Sequence, residues 1–210
     1  MRVIKYDDIV ARTKALCLDA NRHLPADVFG ALKRAQEQEV SPLGKNVLDT
    51  ILENAEIART KSMALCQDTG MVVVFAEVGQ DARIEGGLLT DAIDEGVRQA
   101  YDEGYLRKSV VGDPLERVNT GDNTPAVVHV SLVAGDQLRL TVAPKGFGSE
   151  NMSALRMLKP AEGVQGVMDF IVETVTKAGG NPCPPIIIGV GIGGTFEKAA
   201  LMAKRSVLRE

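Results

Sequence analysis

A chain of 210 residues, 45% hydrophobic and 25% charged, without Trp, can bury one sizeable core or build one large and one small lobe. Its net charge of −4 argues against nucleic acid as the main partner, because phosphate binding calls for a basic surface. No apolar run reaches the roughly 20 residues that span a bilayer, and the N-terminus MRVIKYDDIV has no signal-peptide core. A cytoplasmic protein without a membrane partner is expected, and its three cysteines suit a reducing compartment.

Three helices are predicted to lead. Asp7 to Ala20 places Ile9, Val10, Leu16, Cys17 and Ala20 near helical spacing. Pro25 and the Ser41-Pro42 pair are N-terminal signals for helices over 26–39 and 42–59. Met71 to Val78 reads as a strand. Thr90 is placed to cap a helix running through Ile93, Val97 and Ala100 to Gly104, with Asp91 and Asp94 favourable in its first turn. Val127–Val133 and Gln137–Ala143, separated by Ala134-Gly135-Asp136, predict an antiparallel hairpin.

A loop from Pro144 to Asn151 is expected next, then a helix over about 161–178 that stops at Gly179-Gly180. Ile186 to Val190 reads as a buried strand turning through Gly191–Gly194 into a helix near Thr195. N-terminal helices followed by a mixed sheet with an antiparallel hairpin and packed helices make the fold class α+β.

Two of the cysteines stand in segments that suit ligand loops better than core. Cys66 opens the polar run Cys66-Gln67-Asp68-Thr69-Gly70, and Cys183 lies in Asn181-Pro182-Cys183-Pro184-Pro185, where the prolines remove backbone donors and restrict the chain. Cys17, on the apolar face of the first helix, reads as core. Asp68 lies two residues after Cys66 and reads equally as a proton-transfer group or as the cap of its own turn.

Asn119 to Pro125 offers Asn, Asp and Thr side chains to substrate hydroxyls or carboxylates, or is only a turn-rich loop. In Lys145 to Asn151, two glycines would let backbone N–H groups approach an anion; a plain glycine turn is the competing reading. Arg107-Lys108 is either a carboxylate clamp or a solvated basic pair. Gly189 to Gly194 formally matches G-x-G-x-x-G, which keeps a nucleotide-binding module as the rival function. No second strand follows to complete a βαβ unit, however. Neither His23 nor His129 has a second His at ligand spacing, so no ordinary zinc site is visible.

Taken together, Cys66–Gly70, Ile84–Leu89, Gly104–Arg107, Asn119–Pro125, Pro144–Ser153, Asn181–Pro185 and Gly189–Ala200 resemble the alpha-type part of the iron–sulfur hydro-lyases. That is the class I fumarate hydratase and tartrate dehydratase family, and the alpha subunit of its two-subunit form is the most similar. The resemblance implies a [4Fe–4S] cluster held by three cysteines, with one iron open to a small dicarboxylate. By this matching Cys66 and Cys183 are cluster ligands, Asp68 is the acid for the departing hydroxyl, and Gln67, Arg107 and the Gly148 backbone bind substrate.

A beta-type subunit is expected to bring the rest of the site, including the base, within a higher-order oligomer. Fumarate to malate is the first expected reaction and tartrate dehydration the alternative. The family's third cysteine lies downstream of the glycine segment, and this sequence ends at Glu210 before it. The expectation is therefore one C-terminally truncated alpha-type domain over 1–210, inactive by itself.

Overall fold

The computed structural model describes residues 1–209, which cluster into two compact units, Met1–Lys145 and the residues from Gly146 onward. In the first unit the chain begins with a short strand β1 (Arg2–Lys5), ahead of the helices α1 (Tyr6–Arg22), α2 (Ala26–Gln38) and α3 (Pro42–Lys61). Then come β2 (Met71–Gly79), β3 (Ala82–Glu85), α4 (Leu89–Glu103), β4 (Val127–Val133) and β5 (Leu138–Lys145). β1 pairs in parallel with β3, and the larger sheet has the order β4-β2-β5. The class is α+β with a mixed sheet, as expected.

The core forms where α1 and α4 meet the sheet. Val72 and Val74 of β2 pack with Ile9, Val10 and Cys17 of α1 and with Ile93, Val97, Ala100 and Tyr101 of α4. β2 is the middle strand, and its unbroken run Val72–Ala76 is buried on both faces, as a central strand requires. On one of those faces Phe75 stacks on His129 of β4, with ring centroids 5.1 Å apart. His129 is therefore a packing residue.

The predicted hairpin does not form. β4 and β5 run in opposite directions, but β2 lies between them, parallel to β4 and antiparallel to β5. The connection Ala134–Gln137 bridges two strand spacings by passing over the end of β2. There the Gly79 N–H donates to the Gln137 carbonyl (2.7 Å) and the Gln80 N–H to that of Val133 (2.9 Å). A Cβ on Gly79 would stand 2.5 Å from the Gly135 carbonyl oxygen, so only glycine fits beneath the crossing.

Helix ends largely follow the sequence signals. Ser41 caps α3, its Oγ accepting from the Gly44 N–H (3.4 Å), with Pro42 as the first helical residue. The cap proposed for α4 is corrected. The N-cap is Leu88, and Thr90, already inside the helix, donates its hydroxyl to Asp91 Oδ1 (3.4 Å).

The second unit holds α5 (Phe147–Glu150), a 3₁₀ turn (Pro160–Glu162), α6 (Gly163–Ala178) and α7 (Phe196–Ser206). The loop expected over Pro144–Asn151 thus contains one helical turn. The buried strand expected at Ile186–Val190 is also corrected: the segment pairs with no strand among the described residues, and Ile187, Ile188 and Val190 are exposed. Its glycines explain its path. Cβ atoms on Gly189 and Gly191 would stand 2.2 Å from the Ala203 carbonyl oxygen and 2.1 Å from that of Ala199. Two residues of extended chain cover about the same length as four of helix. The segment therefore runs antiparallel along α7 with its glycine side against the helix backbone. Among the described residues no helix is long and apolar enough to cross a membrane.

Candidate active site

The helix α3 ends on Ser62, whose left-handed backbone (φ 53°) turns the chain out of the helix. From there to β2 the backbone forms no helix or strand, so its polar groups need other partners. Leu65 supplies one anchor: its N–H donates to the Asn21 carbonyl (2.8 Å) and its carbonyl accepts from Asn54 Nδ2 (2.8 Å). Thr69 and Gly70 supply the other, both buried. The Tyr101 hydroxyl donates to the Thr69 carbonyl (2.6 Å) and Asn123 Nδ2 to that of Gly70 (3.0 Å). Gly70, at φ 62°, then turns the chain into β2. Cys66, Gln67 and Asp68 are suspended between the two anchors.

Within this turn Cys66 and Gln67 are exposed and Asp68 is half-buried. The Asp68 N–H donates to Cys66 Sγ (3.4 Å), and that thiol also lies 3.4 Å from Gln67 Oε1. A backbone donor aimed at sulfur suits a metal ligand. Cys17 differs: it is fully buried, and burial pushes its thiol up to about 12. Alkylation at neutral pH therefore labels Cys66 and Cys183 and spares Cys17 until the chain unfolds, which peptide mass spectrometry reads directly.

Arg107 is exposed just beyond α4, and its carbonyl accepts the Thr69 hydroxyl (2.9 Å). Its neighbour Lys108 is paired with Asp102 (3.0 Å). The first unit thus brings Cys66, Gln67, Asp68 and Arg107 into one locally bonded frame. Cys183 and Gly148 belong to the second unit. Cys183 is exposed on a left-handed backbone (φ 60°), an uncommon conformation for a residue with a Cβ. Gly148 lies within α5. Among the described residues no three His, Cys, Asp or Glu side chains are grouped to hold a metal ion.

Within the run Asn119–Pro125, Asn123 and Thr124 turn inward while Asn119, Thr120 and Gly121 stay exposed. Asn123 is completely buried, its Oδ1 accepting from the Ser109 N–H (2.7 Å) and the Val110 N–H (3.2 Å). Burial would push the Asp122 carboxyl up. Donors from the Thr124 backbone and hydroxyl and from Arg98 outweigh it and hold the group down at about 2. The Asp122 and Asn123 side chains thus shape the loop. Tyr101 is the participant that sequence reading missed. It continues the buried face of α4 after Ile93 and Val97, and a buried tyrosine hydroxyl needs a partner.

Residues 10–210 match the family described as fumarate hydratase (Fumerase). A Methanocaldococcus jannaschii protein provisionally named L(+)-tartrate dehydratase subunit alpha is 41% identical over 213 residues, covering 99% of this chain and 73% of that protein. The L(+)-tartrate dehydratase subunit alpha of Escherichia coli strain UTI89 is 32% identical over 211 residues, covering 99% and 68%. Its counterpart in strain K12 is 31% identical with the same coverage. The chain belongs to the fumarate hydratase family.

Proposed function

We propose that this chain is the alpha-type subunit of a [4Fe–4S] hydro-lyase that reversibly removes water from a small hydroxydicarboxylate. The observation that carries the reading is the Cys66–Asp68 turn, which offers thiol and carboxyl from a backbone tied to the Arg107 segment. The donor chemistry fits the cluster. Cys66 and Cys183 are exposed thiols, the ligand type that iron–sulfur clusters take, and the Asp68 N–H donates to one of them. They account for two of three thiolates, and the buried Cys17 is unsuited to be the third.

When bound, the cluster supplies Lewis acidity toward the substrate hydroxyl. Asp68 gives the proton that lets hydroxide leave as water. Arg107 holds a substrate carboxylate, Gln67 and the Gly148 backbone complete the contacts, and a beta-type subunit provides the base. The relatives' names put L(+)-tartrate first among substrates to offer, ahead of malate and fumarate.

The test is co-expression with a beta-type subunit, anaerobic reconstitution with iron and sulfide, and assay on all three acids. The expected outcome is iron-dependent hydro-lyase activity, with iron content and activity both lost in Cys66→Ser and Cys183→Ser. Micromolar binding of NAD or ATP without any hydro-lyase activity would instead support a nucleotide module built on Gly189–Gly194.

A further inference from the structure

Two buried polar side chains, Thr69 and Asn123, join the Cys66 turn to the Arg107 segment, and a third, Tyr101, ties that turn to α4. Thr69 is 4% exposed, Tyr101 and Asn123 not at all. Thr69 reaches across to the Arg107 carbonyl, Tyr101 rises from α4 to the Thr69 carbonyl, and Asn123 grips Gly70 on one side and the Ser109 and Val110 N–H groups on the other. Neither 66–70 nor 107–110 is part of a strand, so side chains do here what a sheet ladder does elsewhere. Burying such groups is costly unless each is satisfied, and an apolar filling would avoid that cost.

What the polar filling provides is register. Thr69 directly follows Asp68, and the carbonyl it binds belongs to Arg107 itself. Any slippage between the two stretches moves the backbone that carries Asp68 against the backbone that carries Arg107. Reaction geometry tolerates little displacement: a shift of about 1 Å can cost ~10²-fold in rate.

We infer that Thr69, Tyr101 and Asn123 form a buried strut that sets the spacing of Asp68 and Arg107, and that they are positioning residues touching neither substrate nor metal. The inference rests on the hydro-lyase reading for its functional half. Its structural half stands on the hydrogen bonds alone.

Two measurements on Thr69→Val, Thr69→Ser and Tyr101→Phe test it. In the chain alone, amide hydrogen exchange should speed up in both 66–70 and 107–111 by about tenfold in Thr69→Val and Tyr101→Phe, the effect of losing one hydrogen bond. Thr69→Ser, which keeps the hydroxyl, should match the parent. In the reconstituted complex, KM for the dicarboxylate should rise by about tenfold in the same two variants, kcat should fall less, and Thr69→Ser should restore both.

A purely structural role would lower the melting temperature and leave KM and kcat of the folded enzyme unchanged, which would overturn the inference. So would exchange that accelerates in one segment only. If Thr69→Val fails to fold, Tyr101→Phe gives the same reading, since it removes a single hydroxyl. A parent complex inactive on every acid tested would defeat the hydro-lyase reading and the positioning role with it. Coupled exchange would then remain as a structural fact, so the two failures are told apart.

Discussion

Replacing Asp68 by Asn lowers kcat of the reconstituted hydro-lyase by about 10²–10⁴-fold, the usual contribution of a positioned proton donor. Asparagine has the same shape and keeps a carbonyl acceptor, but it has no acidic proton to give to the departing hydroxide. The bonds of Leu65, Thr69 and Gly70 anchor the backbone on either side of the position. The variant should therefore fold, hold Cys66 in place and bind substrate through Arg107 with KM little changed. Steady-state kinetics beside a thermal melt and an iron assay check all three. A variant with parental kcat would return Asp68 to the role of turn cap.

Replacing Gly191 by Ala should be the most damaging small substitution in the second unit. The added Cβ would meet the Ala199 carbonyl oxygen at 2.1 Å and the Ala203 backbone nitrogen at 2.6 Å, and helix backbone cannot rotate aside as a side chain can. The expected cost is about 3 kcal/mol, the upper end of what overpacking ordinarily imposes. It should show as faster hydrogen exchange across α7 and cleavage there by dilute protease. Gly180→Ala is the control: its Cβ would meet nothing within 4 Å, and its stability should stay within ~0.5 kcal/mol of the parent. Equal stability of the two variants would mean that Gly191 does not hold the segment on the helix.

The helices were legible because their signals are local. Apolar spacing located α1 and α4 to within two residues of their limits, and Ser41-Pro42 marked the start of α3. The sheet was legible only in part. Alternation and the Ala134-Gly135-Asp136 turn identify two strands and a reversal of direction. Nothing local says that β2, some fifty residues earlier in the chain, occupies the place between them.

Ile186–Val190 misled for a related reason: an apolar run with glycines fits a strand or a chain laid along a helix, and only the Ala199 and Ala203 backbone distinguishes them. At the candidate site, Cys66 and Asp68 stood out as reactive types in a polar turn. Tyr101 did not, since a helix tyrosine looks ordinary until burial and partners are known, and Asn123 stood in a run read for substrate contacts or a plain turn and not for buried backbone bonds.

The insertion of β2 between β4 and β5 also governs how the first unit is reached from the unfolded chain. Val73 faces Val127 on one side and Ala143 on the other, so neither edge of the central strand finds its mate nearby in the chain. β2 leaves the ribosome well before either partner and must stay unpaired while α4 and the Asn119–Pro125 loop are made. Loops of this length have to close before any ladder bond of β2 forms, which slows the completion of this sheet relative to a local hairpin. Until closure the run Val72–Ala76 is an uncovered apolar strand, the kind of segment that pairs with other chains. α1, already synthesised and carrying Ile9 and Val10, is the natural temporary cover for it.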